Sequence, residues 1–140
     1  MVKIPIISQK APQPIGPYVH AVLENYPYKM EVSGQSGRNP ETGKLGWGIK
    51  TQTTQTLDNL ENILSEVEWG LKDVIKVRIY LTNMKDYSIV NEVYKERFGD
   101  DIPARAVVGV NALPGNALIE IECTAGGDKV PEKYLITKSH

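Results

Sequence analysis

Two segments of the chain repeat their apolar residues with a helical period. The first is TQTTQTLDNLENILSEVEWG, residues 51–70, and its stripe consists of Leu57, Leu60, Ile63, Leu64 and Val67. The second lies between Asp86 and Gly99, and its stripe consists of Tyr87, Val90, Tyr94 and Phe98. Gly70 and Gly99 are suitable C-terminal stops, and Asp86 is a suitable N-cap. The pattern therefore predicts two amphipathic helices, each of which needs a surface to cover.

Other segments favour β-structure. DVIKVRIYL, residues 73–81, alternates, with one face formed by Val77, Ile79 and Leu81 and the other by Lys76, Arg78 and Tyr80. Four further strands are predicted on β-forming residues bounded by turn signals, at about Tyr18–Leu23, Tyr28–Ser33, Arg105–Val110 and Ala117–Thr124. Glu24 and Asn25 form the turn between the first two of these.

The predicted order is β-β-α-β-α-β-β, which indicates an α+β fold with both helices on one face of a single sheet. Residues 1–125 are expected to form one domain, and residues 126–140 a C-terminal extension. Within that extension GGDKVPE has the composition of a linker, and KYLIT could add a short strand.

The charge balance and the cysteine and histidine counts of the chain exclude several classes of function. The 140 residues include 16 Lys and Arg against 17 Asp and Glu. The chain therefore has no excess of positive charge that would favour binding to nucleic acid or to an anionic membrane. The single cysteine, Cys123, excludes an intramolecular disulfide, and with only two histidines the chain lacks the ligands of a closed zinc site. There is no signal-peptide pattern and no apolar run long enough to span a bilayer. We therefore expect a cytoplasmic protein.

The stretch Pro103–Ala125, PARAVVGVNALPGNALIEIECTA, places charges inside apolar strands. If the loop NALPGN joins two paired strands, Arg105 lies opposite Glu122 and diagonal to Glu120. The alternate positions are apolar and are expected to face the helices: Ala106, Val108, Val110, Ile119, Ile121 and Cys123.

Two interpretations of these charges stay open at this point. An exposed cross-strand Arg–Glu ion pair is common and contributes only about 0–1 kcal/mol. If a second subunit covers the charged face, the same residues form a cleft. The planar fork of an arginine there suits a carboxylate ligand, and a neighbouring glutamate suits deprotonation of a water.

Motifs along the chain resemble one known family. In order they are APQPIGPYVHAV, SGQ, NPETGKL, QTTQTLDNLENIL, VNEVY and PARAVVGVNALPGNALIEIE. Together they resemble the RidA family, also called the YjgF/UK114 family, from about Ala11 to Ala125. The resemblance implies a chorismate-mutase-like fold with a mixed sheet, assembled as a homotrimer with a cleft at each subunit interface. It implies hydrolysis of 2-imino acids, such as 2-iminobutanoate and 2-iminopropanoate, to 2-oxo acids and ammonia. It implies no metal and no organic cofactor.

The resemblance also implies roles for individual residues. Arg105 matches the residue that grips the substrate carboxylate, and Glu120 the residue that places the water. Four further positions match the surroundings of the cleft: Tyr18, Gly34, Asn91 and Val107. Val107 stands where many members carry a cysteine, and its contact is expected through the backbone. From the residues alone, Tyr18 could equally be a packed interface aromatic, Gly34 a bend and Asn91 a helix cap. Ser36-Gly37 replaces a usual apolar residue and proline, and is expected to alter the loop beside the cleft.

Two alternatives to an imine deaminase remain. One is a non-catalytic trimer whose clefts bind small carboxylates and regulate another protein. The other is an endoribonuclease or translation inhibitor, which the balanced charge and the lack of a basic, aromatic stripe disfavour.

Overall fold

The computed structural model describes residues 2–135 of the chain. Their elements are β1 (Lys3–Ile6), β2 (Ala21–Glu24), β3 (Tyr28–Ser36), α1 (Gly48–Ser65), β4 (Val74–Leu81), α2 (Tyr87–Phe98), β5 (Ala104–Gly109) and β6 (Ile119–Gly127). The predicted α+β class and both helices are confirmed. No helix within residues 2–135 is both long and apolar enough to cross a membrane.

The strands form two sheets instead of the single sheet predicted. The main sheet has the order β3-β6-β4-β5, with β4 and β5 parallel and the other pairs antiparallel, so it is mixed. The strand predicted first, β2, instead pairs with β1 in a separate two-stranded sheet. The pattern did not predict β1, because it is only four residues long and contains Pro5, which restricts it to an edge. A single bridge between Val19 and Ala104 holds the segment before β2 along the outer edge of β5.

Both helices cover one face of the main sheet. The stripes predicted for α1 and α2 supply much of the core, including Leu57, Leu60, Leu64, Val90, Tyr94 and Phe98. The end of α1 differs from the prediction, since the helix stops at Ser65, Glu68 takes a left-handed φ of 63° and Gly70 is extended. Gly99 ends α2 with a φ of 59° as expected. Asp86 precedes α2, but its side chain makes no capping hydrogen bond.

The register of the main sheet overturns the predicted pairing of Arg105 with Glu122. Strand β4 lies between β5 and β6, so Val77 is the neighbour of both Arg105 and Cys123, and Glu122 is opposite Arg78. The nine residues between Gly109 and Ile119, with a 3-10 turn at Pro114–Asn116, are long enough to step over β4. The short hairpin assumed from the sequence does not exist.

The same register corrects the predicted faces of β5. Val77 is fully buried beneath the helices, and its neighbour Arg105 lies on that helix face together with Val107. Ala106 and Val108 lie on the other face and are exposed, contrary to expectation. The prediction failed because β5 is the edge strand and α2 presents polar groups above it. The prediction for β6 is confirmed, since Ile119, Ile121 and Cys123 are all buried.

The C-terminal extension begins inside the sheet. Strand β6 continues to Gly127, and the indole N–H of Trp69 donates to the carbonyl of Lys129 at 2.8 Å. A 3-10 turn covers Glu132–Tyr134, where the strand KYLIT was considered, and residues 136 and 137 of that segment lie outside the described residues. The division of the chain at residue 125 stays a prediction.

Candidate functional site

Arg105 is a buried cation held by neutral partners. Its side chain rises from β5 toward α2, and the residue is only 9% exposed. Nη1 donates to Oδ1 of Asn91 at 2.9 Å, and Nη2 donates to the hydroxyl of Tyr87 at 3.3 Å. Asn91 and Tyr87 are four residues apart on α2 and therefore lie on the same helix face. They fix the direction of the guanidinium.

Aromatic rings take the place of an acidic partner. The guanidinium carbon lies 4.9 Å from the ring centre of Tyr94, 5.5 Å from that of Tyr18 and 5.7 Å from that of Tyr87. Such cation–π contacts stabilise a cation by about 0.5–2 kcal/mol. Within residues 2–135, Arg105 forms no ion pair with an Asp or Glu. Its positive charge is therefore buried, oriented and available to an anion.

Gly16 makes this arrangement possible on the chain's N-terminal side. A β-carbon at Gly16 would lie 2.7 Å from Nη2 of Arg105 and 2.8 Å from the hydroxyl of Tyr87. Both distances are shorter than real β-carbon contacts, so only glycine lets the segment before Tyr18 approach the guanidinium this closely. Tyr18 is thereby carried to the rim of the site, where its hydroxyl accepts from the backbone N–H of Ile15 at 3.3 Å.

The guanidinium opens into a pocket of about 480 Å³. The pocket is lined by Ile15, Tyr18, Met84, Tyr87, Arg105 and Val107. Apart from Arg105 its walls are apolar or aromatic, which suits a ligand with one negative group and a small apolar body. Two buried polar atoms, Arg105 Nε and the Tyr94 hydroxyl, have no hydrogen-bond partner within residues 2–135. Burial raises the pKa of Tyr94, so its hydroxyl stays neutral.

Glu120 lies elsewhere, on the face of the sheet away from the helices. It is half-buried and stands opposite Tyr80 of β4. Gly34 lies in the bulge of β3, where a β-carbon would be 2.5 Å from Oε2 of Glu120. The backbone at Gly34 therefore rests directly against the carboxylate.

The neighbouring carboxylate, Glu122, is already engaged. The hydroxyl of Tyr80 donates to its Oε1 at 2.5 Å. This hydrogen bond to a carboxylate raises the pKa of Tyr80 and keeps the phenol protonated. Of the two glutamates of β6, Glu120 is the one whose carboxylate lies against the backbone at Gly34.

The predicted site residues thus separate into two groups. Arg105, Asn91, Tyr18 and Val107 meet on the helix side of β5, whereas Glu120 and Gly34 meet on the opposite face. Two strand spacings of about 4.8 Å and three residues of about 3.3 Å each place the α-carbons of Arg105 and Glu120 roughly 14 Å apart.

Sequence reasoning missed three members of the Arg105 group. Tyr87 and Tyr94 were assigned only to the apolar stripe of α2, and Gly16 was not singled out. The spacing of Tyr87 and Asn91 could have indicated that both contact Arg105, because residues four apart on a helix share a face. No group of three metal-ligating side chains occurs within residues 2–135.

Comparisons with known proteins agree with the sequence motifs. The family model described as Endoribonuclease L-PSP matches residues 8–126. A RutC family protein of Pyrococcus abyssi is 44% identical over 127 residues, covering 89% of this chain and 98% of the relative. The 2-iminobutanoate/2-iminopropanoate deaminase of Homo sapiens is 39% identical over 121 residues, covering 86% and 87%.

Solved structures give the same result. RidA from an Antarctic Psychrobacter species superposes with a TM-score of 0.70 at 35% identity, covering 89% of this chain and 99% of that one. E. coli TdcF with bound serine superposes with a TM-score of 0.69 at 32% identity, covering 89% and 99%. The chain therefore belongs to the Endoribonuclease L-PSP family, the YjgF/RidA family that its motifs resemble.

Proposed function

We propose that this protein hydrolyses small 2-imino acids, such as 2-iminobutanoate and 2-iminopropanoate, to 2-oxo acids and ammonia. The observation that carries the proposal is the Arg105 guanidinium, which is buried, has no acidic partner among residues 2–135 and opens to an apolar-walled pocket. A 2-imino acid has one carboxylate and a short apolar body, which match that pocket. The name of the human relative supports the same reaction.

Arg105 binds the substrate carboxylate in this proposal. Two of its five N–H donors go to Asn91 and Tyr87, which leaves donors free for a carboxylate fork. Holding the carboxylate fixes the position of the adjacent imine carbon. Orientation of this kind can contribute about 7–11 kcal/mol in well-aligned intramolecular reactions.

Glu120 acts as the general base. It takes a proton from a water whose oxygen attacks the imine carbon, the C=N electron pair moves to nitrogen, and the protonated Glu120 gives its proton to that nitrogen. In the second half Glu120 takes the proton of the new hydroxyl and passes it to the amino nitrogen, the C=O bond forms, the C–N bond breaks, and ammonia leaves with Glu120 again ionised. General base catalysis contributes about 10²–10⁴-fold.

One chain cannot present Arg105 and Glu120 to the same substrate, because they lie on opposite faces of the sheet. The proposal therefore includes a homotrimer in which the Glu120 face of one copy lies against the Arg105 edge of the next. The exposed Val108, at 45%, and the open face of β4 and β6 supply a surface for such contact. Light scattering at micromolar concentration tests this assembly, and a monomer mass would contradict it.

Imine hydrolysis itself is the test of the activity. An L-amino acid oxidase generates 2-imino acids, semicarbazide traps them, and wild type is compared with Arg105→Ala. Wild type is expected to suppress semicarbazone formation, whereas Arg105→Ala is expected not to. Equal suppression by the two proteins would refute the assignment of Arg105.

A regulatory carboxylate-binding protein is the second candidate, and the serine bound to TdcF favours it. Calorimetry distinguishes the two functions, because 2-oxo acid binding without any imine turnover would support the regulator. RNA cleavage, which the family description names, is tested with the same variants. Cleavage that persists in an Arg105→Ala, Glu120→Gln double variant cannot come from this site.

A further inference from the structure

Helix α1 carries three polar residues that neither the core nor the pocket explains. Gln52, Gln55 and Asn59 belong to the motif QTTQTLDN and lie on adjoining parts of one helix face. Gln52 is only 4% exposed, and Asn59 is half-buried. Burying an amide is unfavourable unless its donors and acceptors are paired. Their partners therefore indicate what the motif does.

Gln52 joins α1 to the start of β6. Its Oε1 accepts from the backbone N–H of Leu118 at 2.9 Å, and Leu118 is two residues before Glu120. Its Nε2 donates to the carbonyl of Gly46 at 3.0 Å, and Gly46 N–H in turn donates to the carbonyl of Gly37 at 3.1 Å. One side chain thus ties the loop before β6 to the loop after β3.

The loop after β3 approaches Gln52 closely because residue 37 is a glycine. A β-carbon at Gly37 would lie 2.6 Å from both the α-carbon and the carbonyl oxygen of Gln52. These are backbone atoms of a helix and cannot move aside. Gly37 therefore lets this loop lie directly against Gln52.

Asn59 holds the end of β3, the strand that lies beside Glu120 on the side away from β4. Its Nδ2 donates to the carbonyls of Ser36 and Arg38, both at 2.9 Å, and its Oδ1 accepts from Gln55 Nε2 at 2.9 Å. Ser36 is the β3 partner of Glu120 and follows the bulge that contains Gly34. Gln52 and Asn59 therefore hold the two backbone segments that flank the Glu120 carboxylate.

We propose that Gln52 and Asn59 are positioning residues for Glu120, acting through the backbone of Leu118 and Ser36. This inference rests on the proposed role of Glu120 as the base. An apolar residue at position 52 removes the tether of Leu118, so the carboxylate loses its alignment with the attacking water. Carboxylate binding at Arg105 is on the other face of the sheet and is unaffected.

The test compares Gln52→Met, which keeps the shape without the hydrogen bonds, with Thr56→Val on the same helix. Thr56 is fully buried and its hydroxyl donates to the carbonyl of Gln52 at 2.7 Å, so its loss lowers stability without touching either loop. Gln52→Met is expected to lower kcat for imine hydrolysis about 10-fold, since small misplacements are costly in catalysis. The Kd of Gln52→Met for 2-oxobutanoate, measured by calorimetry, is expected to stay within about 2-fold of the wild-type value. The kcat of Thr56→Val is likewise expected to stay within about 2-fold of the wild-type value.

Two further variants make the result decisive. Asn59→Ala, at a half-buried position, is expected to give the same fall in kcat from the β3 side. Gln52→Glu keeps the acceptor for Leu118 and is expected to recover part of kcat. If Gln52→Met and Asn59→Ala lose no more kcat than Thr56→Val, the positioning role is wrong. If Glu120→Gln itself keeps full kcat, the proposed function fails instead, and the two failures are distinguishable.

Discussion

The Arg105 guanidinium and the Glu120 carboxylate lie on opposite faces of the main sheet, with β4 between the strands that carry them. Each is supported by its own surroundings. Arg105 is held by Asn91 and Tyr87, whereas Glu120 rests against Gly34. A substrate that needs both groups must therefore bind between two copies of the chain.

Replacing Arg105 by lysine keeps the charge but removes the planar fork. Lys cannot contact Asn91, Tyr87 and a carboxylate with the same geometry. We expect kcat/KM for 2-iminobutanoate to fall about 10–100-fold, corresponding to roughly 1.5–3 kcal/mol for a hydrogen bond to a charged group. Arg97→Lys is the matched control, because Arg97 lies away from the pocket, forms ion pairs with Asp58 and Glu61 and donates to the carbonyl of Thr54 at the surface of α1. An equal loss in both variants would contradict the role of Arg105.

Tyr87→Phe separates orientation of the guanidinium from its charge. The substitution removes the hydroxyl that accepts from Arg105 Nη2 and leaves the ring in place. We expect KM to rise about 3–10-fold, as for a net loss of about 0.5–1.5 kcal/mol, with little change in kcat. Tyr28→Phe, at the opposite edge of the main sheet, serves as the control. A fall in kcat at constant KM would show that the hydroxyl acts on the reaction and not on binding.

Gly34→Ala tests the contact between the bulge and Glu120. The added β-carbon would meet Oε2 at 2.5 Å, so the carboxylate must turn away. We expect kcat to fall at least about 10-fold while binding of 2-oxo acids at Arg105 changes little. Gly70→Ala is the control, because a methyl group at Gly70 would have no atom within 4 Å and the φ there is −143°. If Gly34→Ala keeps the wild-type kcat, Glu120 does not take part in the reaction.

Burial of the Cys123 thiol is expected to make the stability of the protein depend on pH. The residue is 1% exposed, and burial raises the pKa of its thiol to about 12. An unfolded cysteine ionises near pH 8.5, so the contribution to stability is complete below that pH and is lost as pH rises toward 12. Between pH 7.5 and 10.5 wild type should lose roughly 2–3 kcal/mol more unfolding free energy than Cys123→Ala. Urea denaturation at the two pH values measures the difference, and equal losses would contradict it.

Periodicity predicted the helices and most side-chain faces because burial is decided locally. The stripes of α1 and α2 and the alternation of β4 and β6 each need only one apolar surface. Alternation does not say which strands are neighbours. The predicted hairpin between β5 and β6 failed for that reason, and the predicted pair of Arg105 with Glu122 failed with it.

The site was predicted only in part for a related reason. Family motifs pointed to Arg105, Asn91 and Tyr18, which the structure brings together, and to Glu120 and Gly34, which it also brings together. That these are two separate places depends on sheet order. Tyr87 was missed because a tyrosine on a helix stripe has the same pattern whether it packs in the core or accepts a hydrogen bond from a buried arginine.

Mixing two inactive variants tests the shared site most directly. Arg105→Ala and Glu120→Gln are unfolded together at equal amounts and refolded, and mixed assemblies are verified by native mass spectrometry. If each site takes Arg105 from one copy and Glu120 from the next, random mixing in a cyclic oligomer restores about one quarter of wild-type activity. If mixed assemblies form and activity stays at the level of the separate variants, the two residues do not act together across an interface.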